Sequence, residues 1–211
     1  MANIDDLITK LAQDAPRVKA APHPVLLSLE WVTIATAYIA VALLFSGLRP
    51  DILLKFHEPL FVAEILALFG IVVSTSLSAA LLSYPDLHQM RRIVYVPSLA
   101  VALFVATIFF AFNADVPPAP LPMHSFECPL VISLLGLLPA IWVFYVMRKY
   151  ASTHQYWAGS VALLFAFSVG AIWLRLHEPN DSIMHVIECH YLPMIAVGLL
   201  GMWLGKTILK W

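Results

Sequence analysis

Six long apolar runs, separated by short polar segments, account for most of the chain. They cover roughly Val25–Leu48, Pro59–Leu82, Ile93–Phe112, Cys128–Met147, Tyr156–Leu176 and Cys189–Leu209. Each has about the 20 residues that a helix rising 1.5 Å per residue needs to cross ~30 Å of hydrocarbon. No run alternates polar and apolar positions as a barrel strand does. Each is apolar on every face, so the pattern predicts helices, which satisfy their own backbone hydrogen bonds where there is no water. The fold class expected is therefore all-α, a polytopic membrane protein with six transmembrane helices in one bundle. Gly136, Pro139, Gly170 and Pro193 inside the runs are compatible with this, because neighbouring helices can satisfy freed backbone groups.

One further periodic segment precedes the runs. In "MANIDDLITKLAQDAPRVKAAPHP" the residues Ile4, Leu7, Ile8 and Leu11 recur at helical spacing and make a single apolar stripe. Asp5, Asp6 and Asp14 decorate the other side. Pro16 should end this helix, and Pro22 and Pro24 keep the chain extended up to the membrane. Helices that lie on a bilayer usually carry Lys and Arg on the polar face, and this one is acidic. An apolar stripe with acidic flanks suits docking into a groove of a basic protein. The chain thus divides into a partner-binding segment, 1–24, and a transmembrane domain, 25–211.

Composition agrees with the pattern. The chain is 61% hydrophobic and 12% charged, where a soluble domain is about a quarter charged. The charges orient it. With the N-terminus inside, the inner segments hold Lys10, Arg17, Lys19, Arg91, Arg92, Arg148, Lys149, Lys206 and Lys210. The outer segments hold only Arg49, Lys55 and Arg175. This asymmetry predicts both termini on the cytoplasmic side. Trp31, Tyr84, Tyr95, Tyr150, Tyr156, Trp157 and Trp211 near the run ends read as interfacial anchors. The acidic start and the long first run do not resemble a cleaved signal peptide.

The candidate chemistry sits in a repeat. "MHSFEC" (Met123–Cys128) precedes the fourth span and "MHVIEC" (Met184–Cys189) the sixth, and the two cysteines of the chain each end one copy. Both copies fall on the outer side. On a helix, His124 and Cys128, or His185 and Cys189, share a face four residues apart, with Glu127 and Glu188 beside them. Imidazole, thiolate and carboxylate together suit zinc, copper or similar ions. His177, Glu178, Asp181, His190 and His57 lie on the same side. The metal candidates are thus His124, Glu127, Cys128, His177, His185, Glu188 and Cys189, with Cys128 and Cys189 also a candidate redox pair. Such a pair needs the fourth and sixth spans to be neighbours. Histidines at a membrane boundary can instead simply bond a loop, and "PPAPLP" before the first copy suggests an extended approach for His124.

Other features read as structural. Gly201 and Gly205 form a close-packing face in the sixth span, Ala162, Ala166 and Gly170 a similar stripe in the fifth, and Gly136 with Pro139 a kink in the fourth. Glu30 and Glu64 lie near span ends, where a carboxylate can snorkel to the interface, and Glu64 can alternatively join the outer polar cluster.

The order of several stretches brings a resemblance. "DDLITKLAQDAP" (5–16), "GLRPDI" (47–52), "ECPLVISLLGLLPA" (127–140) and "HEPNDSIMHVIECHYLP" (177–193) together resemble the NrsF-like family of membrane anti-sigma factors. These are six-helix proteins of the bacterial inner membrane. The resemblance implies a negative regulator, not an enzyme. Its cytoplasmic N-terminal segment, here Ile4, Asp5, Asp6, Leu7, Ile8, Leu11 and Asp14, holds an extracytoplasmic-function sigma factor. Outward-facing cysteines help relieve the inhibition. Cys128 matches the family's first cysteine. The second often begins a Cys-Pro-x-x-Asp-like stretch, where this chain has His177-Glu178-Pro179-Asn180-Asp181, while Cys189 falls just before His190. That departure puts a simple disulfide mechanism in doubt and leaves room for a metal.

The partners expected are the sigma factor and the bilayer, with no direct nucleic acid contact. No resident cofactor is expected, and a transition or heavy metal ion only as a signal. A small transporter should show polar, interrupted span centres, which are almost wholly apolar here. A thiol oxidoreductase should show Cys-x-x-Cys and a haem protein axial ligands inside the bundle; neither is present in the sequence.

Overall fold

The structure is a computed structural model and describes residues 4–14, 21–85, 92–113 and 127–210. Among these residues six helices are long and apolar enough to cross a membrane, and there is no strand. An amphipathic helix, α1 (Ile4–Asp14), comes first. The long helices follow as α2 (Pro24–Ser46), α3 (Pro59–Leu82), α4 (Ile93–Asn113, opening with a 3-10 turn), α5 (Glu127–Met147), α6 (Gln155–His177) and α7 (Ile183–Ile208). Five of the six overlap the apolar runs closely. The last starts at Ile183, because the polar "HVIECH" stretch is helical too.

Local signals fix the ends. Pro24 and Pro59 occupy the first turns of α2 and α3, where a missing N–H costs nothing. Gly47 closes α2 at φ 84, its N–H bonded to the Leu43 carbonyl at 2.8 Å; this backbone region is open to glycine and strained for other residues. Pro179 disfavours helical geometry at the residue before it. Glu178 is accordingly extended, and α6 stops at His177.

The centre of the bundle is α6, whose residues are buried for most of its length. It packs against α7, α3, α5 and α2, whereas α4 leans mainly on α3. The expected glycine face is the α6–α7 contact. A Cβ on Gly159 would run into the backbone of Gly201 and Gly205, and Ser160 Oγ donates to the Gly198 carbonyl at 2.8 Å. Gly170 lies against the Ile132 carbonyl of α5, and Gly136 beneath the Phe167 ring. Small residues allow such approaches, which supply dispersion where no hydrophobic drive exists between helices.

Two internal prolines have different consequences. Pro139 lies inside α5, so the carbonyl four residues back, at Leu135, loses its intrahelical donor. Tyr38 Oη of α2 donates to that carbonyl at 3.0 Å. Pro193 likewise has no N–H for the Cys189 carbonyl, and here the helix widens instead. Residues Val186–Tyr191 form a π-helical segment within α7, the kind of bulge that recurs at functional sites.

One expectation needs correcting. Trp31 is not an interfacial anchor but wholly buried, against Trp142 and Phe165. Serines of α3 tie its neighbours to it: Ser76 donates to the Ser28 carbonyl of α2 at 3.0 Å and Ser78 to the Val94 carbonyl of α4 at 2.9 Å. Of the two readings of Glu64, snorkelling and joining the polar cluster, the second holds. Glu64 is buried and ion-paired, as described below.

Candidate functional site

The mouth of the bundle formed by the 47–58 and 178–182 loops carries two adjoining polar clusters. The first is ionic. Arg49 is 1% exposed and donates through Nε and Nη2 to Asp51 at 2.7 and 2.8 Å, and through Nη1 and Nη2 to Asp181 at 3.0 and 2.8 Å. Asp181 also receives Lys55 Nζ at 2.9 Å and Arg175 Nη1 at 2.8 Å. Arg175 Nε reaches Glu64 Oε1 at 2.8 Å. Burial pushes the Asp181 carboxyl up, but the bonds from Arg49, Lys55 and Arg175 outweigh it and hold it far below the ordinary carboxylate range. Planar, bidentate guanidinium pairing is the strong form of this contact. The Arg49 N–H also bonds the Leu176 carbonyl at 3.0 Å, and His177 Nδ1 lies 2.8 Å from the Gly47 carbonyl. "GLRPDI" and "HEPNDS" are therefore one docked unit.

The second cluster contains thiol, carboxylate and imidazole. Leaving the helix at Pro179, the chain turns the Glu178 carboxylate toward the ends of α5 and α7. Cys128 Sγ lies 3.4 Å from Glu178 Oε2 and 3.6 Å from His185 Nε2. His185 Nε2 is 3.2 Å from Glu178 Oε1, and His190 Nε2 is 3.1 Å from Glu178 Oε2. One donor atom from each of these four residues lies within 4.8 Å of all the others. Cys128, His185 and His190 are buried; Glu178 is partly exposed. Burial pushes the Glu178 carboxyl up, but the bonds and charges of His190, Cys128 and His185 hold it below the ordinary range. His190 Nδ1 is buried with no partner among the described residues.

Of the residues singled out in the sequence, Cys128 and His185 meet in this cluster. Glu178 and His190 complete it and were not in the ligand set. His177 stands apart, stacked on Trp173. Cys189 is buried outside the four-atom group, and no disulfide joins it to Cys128. Glu127 and Glu188 are exposed, and His124 lies outside the described residues. The cause is the π segment. Its i→i+5 bonding brings residues five apart, His185 and His190, onto one side, whereas α-helical spacing pairs His185 with Cys189. Pro193, four residues after Cys189, was the signal that helical register breaks here. On α1, Ile4, Leu7, Ile8 and Leu11 are 71%, 57%, 59% and 64% exposed. Asp5 and Asp6 are exposed beside them, and Asp14 is the last helical residue.

The family described as NrsF, negative regulator of sigma F, matches residues 11–211. The anti-sigma-F factor NrsF of Caulobacter vibrioides is 28% identical over 211 residues, covering 98% of this chain and 99% of that protein. The probable anti-sigma-F factor NrsF of Azospira oryzae is 25% identical over 222 residues, with 98% and 99% covered. No solved structure matches.

Proposed function

The chain belongs to the family of negative regulators of sigma F, and from that membership we propose that it is a membrane-embedded anti-sigma factor of the bacterial inner membrane. It is a binding protein, not an enzyme. It holds an extracytoplasmic-function sigma factor on the cytoplasmic side and releases it when the outer mouth of the bundle receives a metal or oxidant signal. The observation that carries this reading is α1, a helix whose apolar stripe lies exposed beside Asp5 and Asp6. Six spans account for the membrane location, and α1 is the amphipathic helix outside them. An exposed apolar stripe flanked by carboxylates fits an apolar groove rimmed by basic groups, and a sigma factor, which binds DNA, carries such groups. Cys128 and the side chains clustered around it then form the receiving end.

The test is capture from membranes. The full chain, solubilised in mild detergent, should bring a sigma factor with it, and a chain lacking residues 2–15 should fold and insert but bring none. Retention at the full level by the deletion protein would refute the assignment of the grip to α1.

A further inference from the structure

We propose that Cys128, Glu178, His185 and His190 form a single-ion site for a borderline divalent cation of the zinc class. This names the ligand of the outer mouth and rests on the reading of that mouth as a receiver.

Three separate pieces of chain converge on the site: the first turn of α5, the residue after α6, and the start of α7, with His185 just before the π segment and His190 within it. They supply one sulfur, one carboxylate oxygen and two imidazole nitrogens. Such a set excludes magnesium and calcium, which take oxygen ligands, and suits zinc and its first-row neighbours. Bond lengths of ~2.0–2.3 Å from a tetrahedral zinc to these atoms imply ligand-to-ligand edges of about 3.3–3.8 Å. Glu178 Oε2 lies 3.4 Å from Cys128 Sγ and 3.1 Å from His190 Nε2, and Cys128 Sγ to His185 Nε2 is 3.6 Å; His185 Nε2 lies 3.2 Å from the other carboxylate oxygen, Oε1. The widest separation in the group is within 4.8 Å, so closing it around an ion needs side-chain adjustment only.

The same atoms also explain the arrangement without an ion. Three proton donors, the Cys128 thiol and the two Nε2–H groups, converge on one carboxylate. An arriving cation replaces those protons at the centre. The thiol proton leaves to solvent as Sγ becomes a thiolate, and each imidazole presents its Nε2 lone pair with its proton on Nδ1. For His190 the Nδ1 position is buried, with no partner among the described residues. Exclusion of water around three of the four donors favours a bound cation over a hydrated one, since the thiolate and carboxylate charges it meets are poorly solvated there. Because the ligands lie on α5, α6 and α7, one ion joins three spans.

The experiment uses the full chain in detergent, stripped of metal and titrated separately with Zn2+ and with Co2+. One equivalent of either should bind per chain. The Co2+ form should show the intense visible bands of a tetrahedral ion and a near-ultraviolet thiolate charge-transfer band. Cys128→Ser should abolish the charge-transfer band. His185→Ala and His190→Ala should each weaken Zn2+ binding by more than about 100-fold, the upper range for losing a mere supporting residue. Cys189→Ser and His177→Ala, which lie outside the group, should bind as the parent does. Helicity by circular dichroism identifies any variant that has simply unfolded, and the conservative His190→Gln then serves in its place. Failure of the folded parent to bind either ion, or equal loss in Cys189→Ser, overturns the site. Sigma-factor capture by the same preparations is scored independently. A protein that binds zinc but captures no sigma factor refutes the proposed function and leaves the site standing.

Discussion

At the scale of single residues, several polar groups inside the bundle are met by a specific partner. The Leu135 carbonyl freed by Pro139 accepts from Tyr38 Oη. Tyr38→Phe should destabilise the bundle by about 0.6–2 kcal/mol, the range for interhelical hydrogen bonds in membranes. In Pro139→Ala, where the helix supplies its own donor, the same change should cost much less. A double-mutant cycle measured by denaturant unfolding checks this, and equal costs in both backgrounds would contradict it. The Arg49–Asp181 pair gives a second prediction. Asp181 is held far below its ordinary range. A carboxylate so depressed contributes stability above its ordinary value of about 3.9 and loses it only as pH falls through the depressed one. The docked 47–58 and 178–182 loops should therefore keep their amide protection at pH 5 as at pH 7, with the Arg49 N–H as the probe; loss of protection by pH 5 would show that the network does not hold them. Residue identity made these groups visible in the sequence, but not their pairing. Glu64 and Arg175 are 111 positions apart, and nothing local says that both turn inward to meet.

Elements were legible wherever the signal was length and apolarity. All six spans, the α1 stripe and the Gly201–Gly205 face follow from spacing alone. The π segment did not, because a periodicity argument presumes one register, and "HVIECH" reads as a regular turn until Pro193 is weighed against the Cys189 carbonyl. That single misregister is why the sequence paired His185 with Cys189 and left His190, though nearby, out of the ligand set. The α6–α7 contact allows a sharp test. Gly159 touches the Gly201 and Gly205 backbones, so Gly159→Leu must force the two helices apart, at a cost of about 3 kcal/mol or more. A lowered midpoint of thermal unfolding in detergent is the expected result. For α1 the change is opposite in kind. Leu7→Asp sits on an exposed face, so the bundle should unfold as before, yet sigma-factor capture should fall at least tenfold because a charge would enter the apolar contact.

For the whole molecule, the geometry places the two clusters at one end and sets α1 apart from them in sequence by the length of α2. The charge asymmetry predicts the clusters outside, so reporters near residues 53 and 180 should face outward and one near residue 151 inward. An outward 151 would reverse the bundle and place Cys128 in the reducing compartment. Given that orientation, a signal outside changes the grip inside only if the bundle has two arrangements for which the signal has unequal affinity. The central helix is the element positioned to carry the difference. Arg175 at its outer end is held in the ionic network and Glu178 follows it in the cation cluster, while its inner half packs through Gly159 on α7. A preference of only ~1.4 kcal/mol for one arrangement changes their ratio tenfold. In cells, Cys128→Ser should therefore still silence the sigma-dependent promoter, because α1 is untouched, but should no longer respond to the inducing metal or oxidant. Cys189→Ser separates the two kinds of signal. If the ion is held by Cys128, Glu178, His185 and His190, that variant should keep a metal response and lose only one that needs both thiols. A Cys128→Ser strain that induces normally would show that the outer cluster does not control release, whatever it binds.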